Sequence, residues 1–344
     1  MVGELTPRAF TIGGVIVDCV VEADGTLHLD QPGGNALHSA AGARLFLDAV
    51  GVVGRVPADY PRSVLMLAAR GGLDVEGIRV VPGTSALPEW FFHRADGSRT
   101  DHLHAASAEL AAFGLSKTHL SADEAARWHA HLTSKSDGGG GFAAFRARHP
   151  VRPEDVPAPY WAAAGAHIGA NAVDQMLACA RAARAAGLRV TLDPGFQAAG
   201  LDAATLGALL DCLDAFLPSE KELAVLRPGL EFRAALADIA GGRRLAVGVK
   251  RGASGAVLRL PDGAFVETAA VPTVARDPVG AGDAFCGGFL SALVDGAGWE
   301  AALARATVAG AFAVEGTGIS HMLAADSGLR DARLNAVQNR RVAP

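Results

Sequence analysis

The chain has 344 residues, half of them hydrophobic and 19% charged, with a formal net charge of −5. That length suits one large domain or two ordinary ones, and without a basic excess neither nucleic acid nor an anionic membrane surface is an expected partner. Cys19, Cys179, Cys212 and Cys286 stand singly, without metal-ligand or disulfide spacing, and the N-terminus MVGELTPRAF lacks a long apolar core, so a cytoplasmic protein is expected.

AFTIGGVIV (9–17) reads as a buried strand. Two Asp-Gly hairpin signals follow, in VVEADGTLHL and in PEWFFHRADGSRTDHLH, because Asp-Gly favours the tight turn that matches strand twist. Between them ALHSAAGARLFLDAV reads as a helix of small residues, and VPADYPRSVLMLAARGGL as a second helix ending at Gly71-Gly72. The segment SADEAARWHAHLTSK carries a capping box at Ser121 and Glu124 and predicts a helix. GGGG (138–141) and HPVRPEDVPAPY then read as a flexible connection. His119, His129, His131 and His149 fall in this region. The spacing of His129 and His131 puts them on different helix faces, which favours solvated surface residues over a metal site.

From AGAHIGA onward, strand-like and helical runs alternate as far as RLAVGVKRG, and GAVLRL adds another strand. Alternation of this kind predicts a parallel sheet covered on both faces, with its site at the carboxyl ends of the strands. Those ends are Asp193-Pro194, Pro218-Ser219-Glu220 and Lys250-Arg251-Gly252.

DPVGAGDAFCGGFL (277–290) poses the sharpest chemical question. Val279 to Gly282 is nearly bare backbone, and Phe285, Phe289 and Leu293 recur at helical spacing after it. The first amides of a helix lack intrahelical partners and lie at the positive end of its dipole, so a small-residue turn there admits a phosphate. The bland reading of Asp283 is a helix-start aspartate. No Gly-Lys-Ser/Thr follows, so this is no Walker loop, and no Gly-x-Gly-x-x-Gly follows the first strand, which argues against a dinucleotide-dependent hydride-transfer enzyme. Gly287 and Gly288 would let this helix lie close to a neighbour.

DPVGAGDAF resembles the C-terminal signature of the ribokinase (PfkB) family of carbohydrate kinases, with Pro278 in place of the usual Thr. The resemblance covers about residues 9 to 325. It implies a single ribokinase-like domain over 1–344: a three-layer α/β/α fold with a mainly parallel central sheet and a small β lid, whose hairpins fall at about 18–30 and 88–105, with an insertion at about 116–160. It implies ATP-dependent phosphotransfer to a hydroxyl of a sugar-like molecule, with Mg²⁺ and a monovalent cation as further ligands and a homodimer through the lid. Asp283 would be the general base, and Gly280, Ala281, Gly282 and Asp283 the anion hole. PGGNALHSAAGARLF resembles the family's N-terminal Gly-Gly motif, so Asp18, Gly33, Gly34, Asn35 and His38 would meet the acceptor. Ile16, Asn35 and His38 depart from the ribose-specific pattern.

LPSEKEL resembles the Asn-x-x-Glu segment, with Ser219 in place of Asn, and Glu222 would orient Mg²⁺ through water; a helix-start glutamate is its structural alternative. KRGASGA resembles the nucleotide segment, giving Lys250, Gly252 and Gly255 to ATP, while LDPGFQ keeps Asp193-Pro194 and has Gln197 where the family has Arg. Asp277 would lie near the monovalent cation. Two other readings stay open. One is a nucleoside kinase, with Trp90, Phe91 and Phe92 stacking a base, although these fit the buried face of the lid as well. The other is a non-catalytic member that binds sugar or nucleotide.

Overall fold

The structure is a computed structural model describing residues 6–24, 26–82, 89–93, 99–101, 141–337 and 339–342. The Asp96-Gly97 turn, the helix expected over 121–135, and His119, His129 and His131 lie outside the described residues, as do residues 116–140 of the expected insertion.

The chain begins with β1 (Ala9–Ile12) in the central sheet and β2 (Ile16–Val21) in the lid. The run AFTIGGVIV is therefore two strands in two sheets rather than one. Gly13 and Gly14 make the crossing, where a side chain on Gly13 would collide with the amide of Asn35. Next come β3 (Leu27–Gly33), α1 (Asn35–Arg44), β4 (Val50–Pro57), α2 (Arg62–Arg70), β5 (Leu73–Asp74), β6 (Ile78–Val81), β7 (Glu89–His93) and β8 (Arg99–Asp101). The lid sheet has the order β3-β2-β7-β8. The hairpin β2–β3 is antiparallel, as is β7–β8, while β2 and β7 run parallel.

The segment after residue 140 departs from the flexible connection expected of it. It forms α3 (Gly141–Arg148) and two short 3₁₀ turns, at Pro153–Asp155 and Ala158–Ala162. The turns are anchored because Tyr160 is buried and Arg55 forks onto Asp155 at 2.7 and 3.0 Å.

Then follow β9 (Gly165–Ile168), α4 (Val173–Ala185), β10 (Arg189–Leu192), α5 (Ala203–Leu210), β11 (Ala215–Phe216), α6 (Glu220–Leu226), α7 (Phe232–Ala240), β12 (Ala246–Lys250), β13 (Ala256–Arg259) and β14 (Phe265–Thr268). The chain closes with α8 (Ala281–Val294), α9 (Trp299–Val314), α10 (Ser320–Leu323), α11 (Ser327–Ala336) and β15 (Asn339–Val342). The central sheet has the order β15-β14-β13-β12-β11-β10-β9-β1-β4-β5, with β6 also on β4. It is parallel from β4 to β12 and antiparallel from β12 to β15. Its inner strands are short apolar runs buried on both faces, as a helix-covered parallel sheet requires.

One face packs on α4, α5 and α7, and the other on α1, α8 and α9. This is the three-layer α/β/α ribokinase-like arrangement expected. The helices α1 and α8 touch backbone to backbone. A side chain on Gly42 would collide with Ala284 O, and one on Gly287 with Ser39 O. Small residues thus lock together the two helices whose first turns build the site.

Candidate active site

A cavity of about 1010 Å³ opens between the lid and the carboxyl ends of the central strands. Asp18 enters it from β2, His38 from α1, Lys250 from the end of β12, and Asp283 from the first turn of α8. These residues stand far apart in sequence, and the crossover topology gathers them on one rim.

At the lid end, Asp18 is 1% exposed and neither carboxylate oxygen has a hydrogen-bond partner. Burial raises its pKa well above the usual carboxylate range, and the nearby Asp277, Glu89 and Asp283 raise it further. Gly33 pairs across from Ile16 in the β2–β3 ladder, and any side chain there would run into the Asp18 carboxylate. The paired glycines therefore make room for this aspartate. Gly34 holds φ 94° with its face against Gly14 O, a conformation and a space that exclude other residues.

Asn35 reaches the cavity wall, but its amide serves the backbone. Oδ1 accepts from Gly14 N at 2.6 Å and Nδ2 donates to Ala170 O at 3.0 Å. It clasps the carboxyl ends of β1 and β9 while lining the cavity where an acceptor contact is expected of it. His38 Nδ1 lies 3.1 Å from Gly34 O, while Nε2 is buried without a partner. Burial lowers its pKa and favours the neutral ring.

The glycine turn starts α8 as its sequence suggests. Gly280 is the residue before the first helical turn, with φ 72° and ψ 0°. A side chain there would collide with the imidazole of His38, so the turn and α1 are in direct contact. Ala281 N donates to Pro278 O at 3.3 Å and Ala284 N to Gly280 O at 2.8 Å. Asp283 is the third residue of the helix, half-buried and lining the cavity. Asp277 is 1% exposed; its Oδ1 accepts from Val279 N at 2.9 Å and lies 2.8 Å from His93 Nε2 of the lid, while Oδ2 has no partner. His93 thus joins the lid to the turn, a link that nothing in the local sequence signals.

At the opposite end, Lys250 stands beside the turn, since a Cβ on Gly282 would lie 3.5 Å from its Nζ. Lys250 is already ion-paired with buried Asp193, and Cys286 Sγ lies 3.8 Å from its Nζ. Burial alone would lower the lysine pKa, yet the attraction of Asp193 outweighs it and the net shift is upward. The expected phosphate contact is thus held by an internal counter-ion. Gly252, at φ 55° with open space around it, leaves backbone accessible in the cavity. Gly255, at φ 84°, is instead needed for close approach to Thr268 O.

Glu222 caps its own helix: Ser219 N donates to Glu222 Oε2 at 2.6 Å, and Glu222 N to Ser219 Oγ at 3.4 Å. It also lines the cavity, and its pKa is raised by burial first and then by Asp193, while Lys250 opposes the rise. A part-buried carboxylate under such pressure suits a nearby cation. Among the described residues no cluster of three His, Cys, Asp or Glu side chains could hold a metal ion. Arg146 and Phe196 are among the cavity residues that escaped the sequence reading. The helical spacing of Phe142, Phe145 and Arg146 was the available signal for the first.

Comparison with known proteins agrees with the fold. Residues 160–325 match the family model described as pfkB family carbohydrate kinase. The chain is 26% identical over 286 residues to the cytidine kinase of Thermococcus kodakarensis, covering 81% of this chain and 86% of that protein. It is 28% identical over 305 residues to the ATP-dependent ribose-1-phosphate kinase of Halopiger xanaduensis, covering 86% of each. Among solved structures, a ribokinase II from E. coli in complex with ATP and Mg²⁺ superposes with a TM-score of 0.66 at 19% identity, covering 96% of this chain and 99% of that one.

Proposed function

We propose that this chain is a pfkB-type carbohydrate kinase that phosphorylates a hydroxyl of a sugar or sugar-like molecule with ATP, a reading supported by the family match over residues 160–325 and by the two kinase relatives, and we assign each residue of its site a role within it. The observation that carries the assignment is one cavity that gathers Asp18, Asp283, Lys250 and Glu222 around the bare 280–283 turn, which touches His38 on one side and Lys250 on the other.

The acceptor hydroxyl sits against Asp283, which takes its proton as the oxygen attacks; a hydroxyl is a poor nucleophile and needs a positioned base. The transferring phosphoryl group lies over the bare turn, where amides at the start of α8 donate to its oxygens without reorganising. Gly252 admits the nucleotide to the backbone, and Lys250 balances phosphate charge while Asp193 fixes its position. Asp18, spaced by Gly33 and Gly34, accepts from acceptor hydroxyls, and the lid excludes water that would otherwise hydrolyse ATP.

Mg²⁺ bound with ATP supplies charge neutralisation on the phosphates, with Glu222 as its water-mediated anchor. The free Oδ2 of Asp277 is the atom suited to a monovalent cation, which replacement of potassium by choline in the assay would test. Pairing of two copies through the lid and a cytoplasmic location belong to the same proposal, and the first is checked by sedimentation.

The test of the reaction is Asp283→Asn. Loss of a general base costs about 100- to 10,000-fold in kcat/KM with ADP binding and melting temperature retained. Turnover unchanged by the substitution would remove Asp283 from its role.

A second reading, a nucleoside acceptor, is favoured by Phe196, which lines the cavity while 63% exposed and offers an open ring face. Higher kcat/KM for adenosine or cytidine than for D-ribose supports it, and the reverse order excludes it. Of the lid aromatics expected to stack a base, Phe91 is buried and lines the cavity, whereas the side chains of Trp90 and Phe92 lie outside the described residues.

A further inference from the structure

The buried face of α3 carries Phe142 and Phe145, at 0% and 1% exposure, and Arg146 follows on the same face by the spacing i, i+3, i+4. The two phenylalanines pack in the core, with Phe142 edge-on to Tyr60 at 6.1 Å between ring centroids. They fix the helix so that Arg146 enters the cavity from beneath the lid. Its side chain runs beside Gly14, where a Cβ would lie 3.2 Å from Nη1, and its guanidinium lies 5.2 Å from the centre of the Phe196 ring. Its Nε is buried with no hydrogen-bond partner.

Burial lowers the Arg146 pKa, and Glu89 and Asp18 are the charges that oppose this and favour its protonated form. A guanidinium only donates hydrogen bonds and a carboxylate only accepts them. Arg146 Nε and both oxygens of Asp18 have unused capacity beside the same cavity. The groups that satisfy a donor and an acceptor together are hydroxyls, which do both. An anion brought here would meet Asp18, Glu89, Asp277 and Asp283, which already crowd one another, against Arg146 and the lid's His93.

We propose that Arg146 is an acceptor-specificity residue: with Asp18 it binds the hydroxyls of an uncharged polyol or nucleoside, and the site rejects acceptors bearing a phosphate or carboxylate. This rests on the kinase reading and names the substrate class of the same site. In it, Arg146 supplies the donor that Asn35, spent on the backbone, does not.

The full chain is assayed with ATP against D-ribose, adenosine, cytidine, ribose 1-phosphate and gluconate, and binding of the same five compounds is followed by calorimetry in the presence of ADP. A neutral compound should bind and turn over best. Arg146→Met should raise its Kd and KM by about tenfold or more, the usual loss for a hydrogen bond to a charged group, with the KM for ATP within about twofold. Arg146→Lys, which keeps the charge and loses the fork, should recover part of the binding, and it replaces the Met variant if that one fails to fold.

The proposal is overturned if ribose 1-phosphate or gluconate is the preferred acceptor, if none of the five binds, or if a folded Arg146 variant leaves acceptor affinity unchanged. An acceptor bound through Arg146 and never phosphorylated would sink the kinase reading and leave this inference standing.

Discussion

The imidazole of His38 packs directly against Gly280, so the His38 wall of the cavity and the glycine turn that starts α8 are one contact surface. Gly280 answers two demands at once, a φ of 72° and the absence of a side chain where the ring lies.

Gly280→Ala meets both obstacles. A non-glycine residue in the left-handed region costs on the order of 1–3 kcal/mol where the surroundings hold it there, and displacement of His38 adds to that. The melting temperature should fall, and kcat should fall with it in material that remains folded. A variant with native kcat would show that the turn adjusts freely.

Asp18 links stability to function in the opposite sense. Its folded pKa is raised, chiefly by burial, so the folded state holds this proton more tightly than the unfolded chain does. The ionised carboxylate therefore costs stability, a cost absent at low pH that grows as pH rises from the ordinary carboxylate range through the raised value. Asp18→Asn should raise the melting temperature at pH 7 by a few degrees and weaken acceptor binding by about tenfold or more. Thermal unfolding and acceptor KM, measured together, check both halves.

Lys250 and Asp193 should behave as a pair. Removing one member of a buried ion pair leaves the other charge uncompensated, at about 3–5 kcal/mol, whereas replacing both with apolar residues costs much less. Chemical denaturation of Lys250→Met, Asp193→Leu and the double variant should show the double variant more stable than either single one. Simple additivity would mean that the two charges are solvated independently.

His167 sets an acid limit. Its Nδ1 lies 2.9 Å from Thr191 Oγ1 in the sheet, and burial holds its pKa down to about 4. A base with a depressed folded pKa binds fewer protons in the folded state, so its contribution to stability is lost as pH falls below about 6.5 and reaches about 3 kcal/mol near pH 4. His38, also lowered by burial, acts in the same direction. Wild type should lose more stability between pH 7.5 and pH 5 than His167→Gln does, as read by denaturant midpoints; equal losses would show that His167 does not set this limit.

Local chemistry made much of the molecule legible. Glycines at 33, 34 and 280 mark places where the backbone must come close to something, and that requirement is written in the residue itself. The alternation of apolar strands and helices from residue 165 onward announced a covered parallel sheet, because strand and helix periods are local properties. The strands at Phe265–Thr268 and Asn339–Val342 carried no clear period, and their identity came from pairing with each other and with β13.

What the tertiary structure alone decided is which charge faces which. Lys250 meets Asp193 across 57 positions, His93 reaches Asp277 from another sheet, and Arg146 comes to Asp18 on a helix that read as linker. A charged residue on one buried helix face has no partner until distant segments are packed against it. The sequence by itself announced the glycine turn, Asp283 at the start of its helix and the sheet that carries them. The fold decided which charges in the cavity face one another, because electrostatic pairing depends on distance in space, which chain order does not contain.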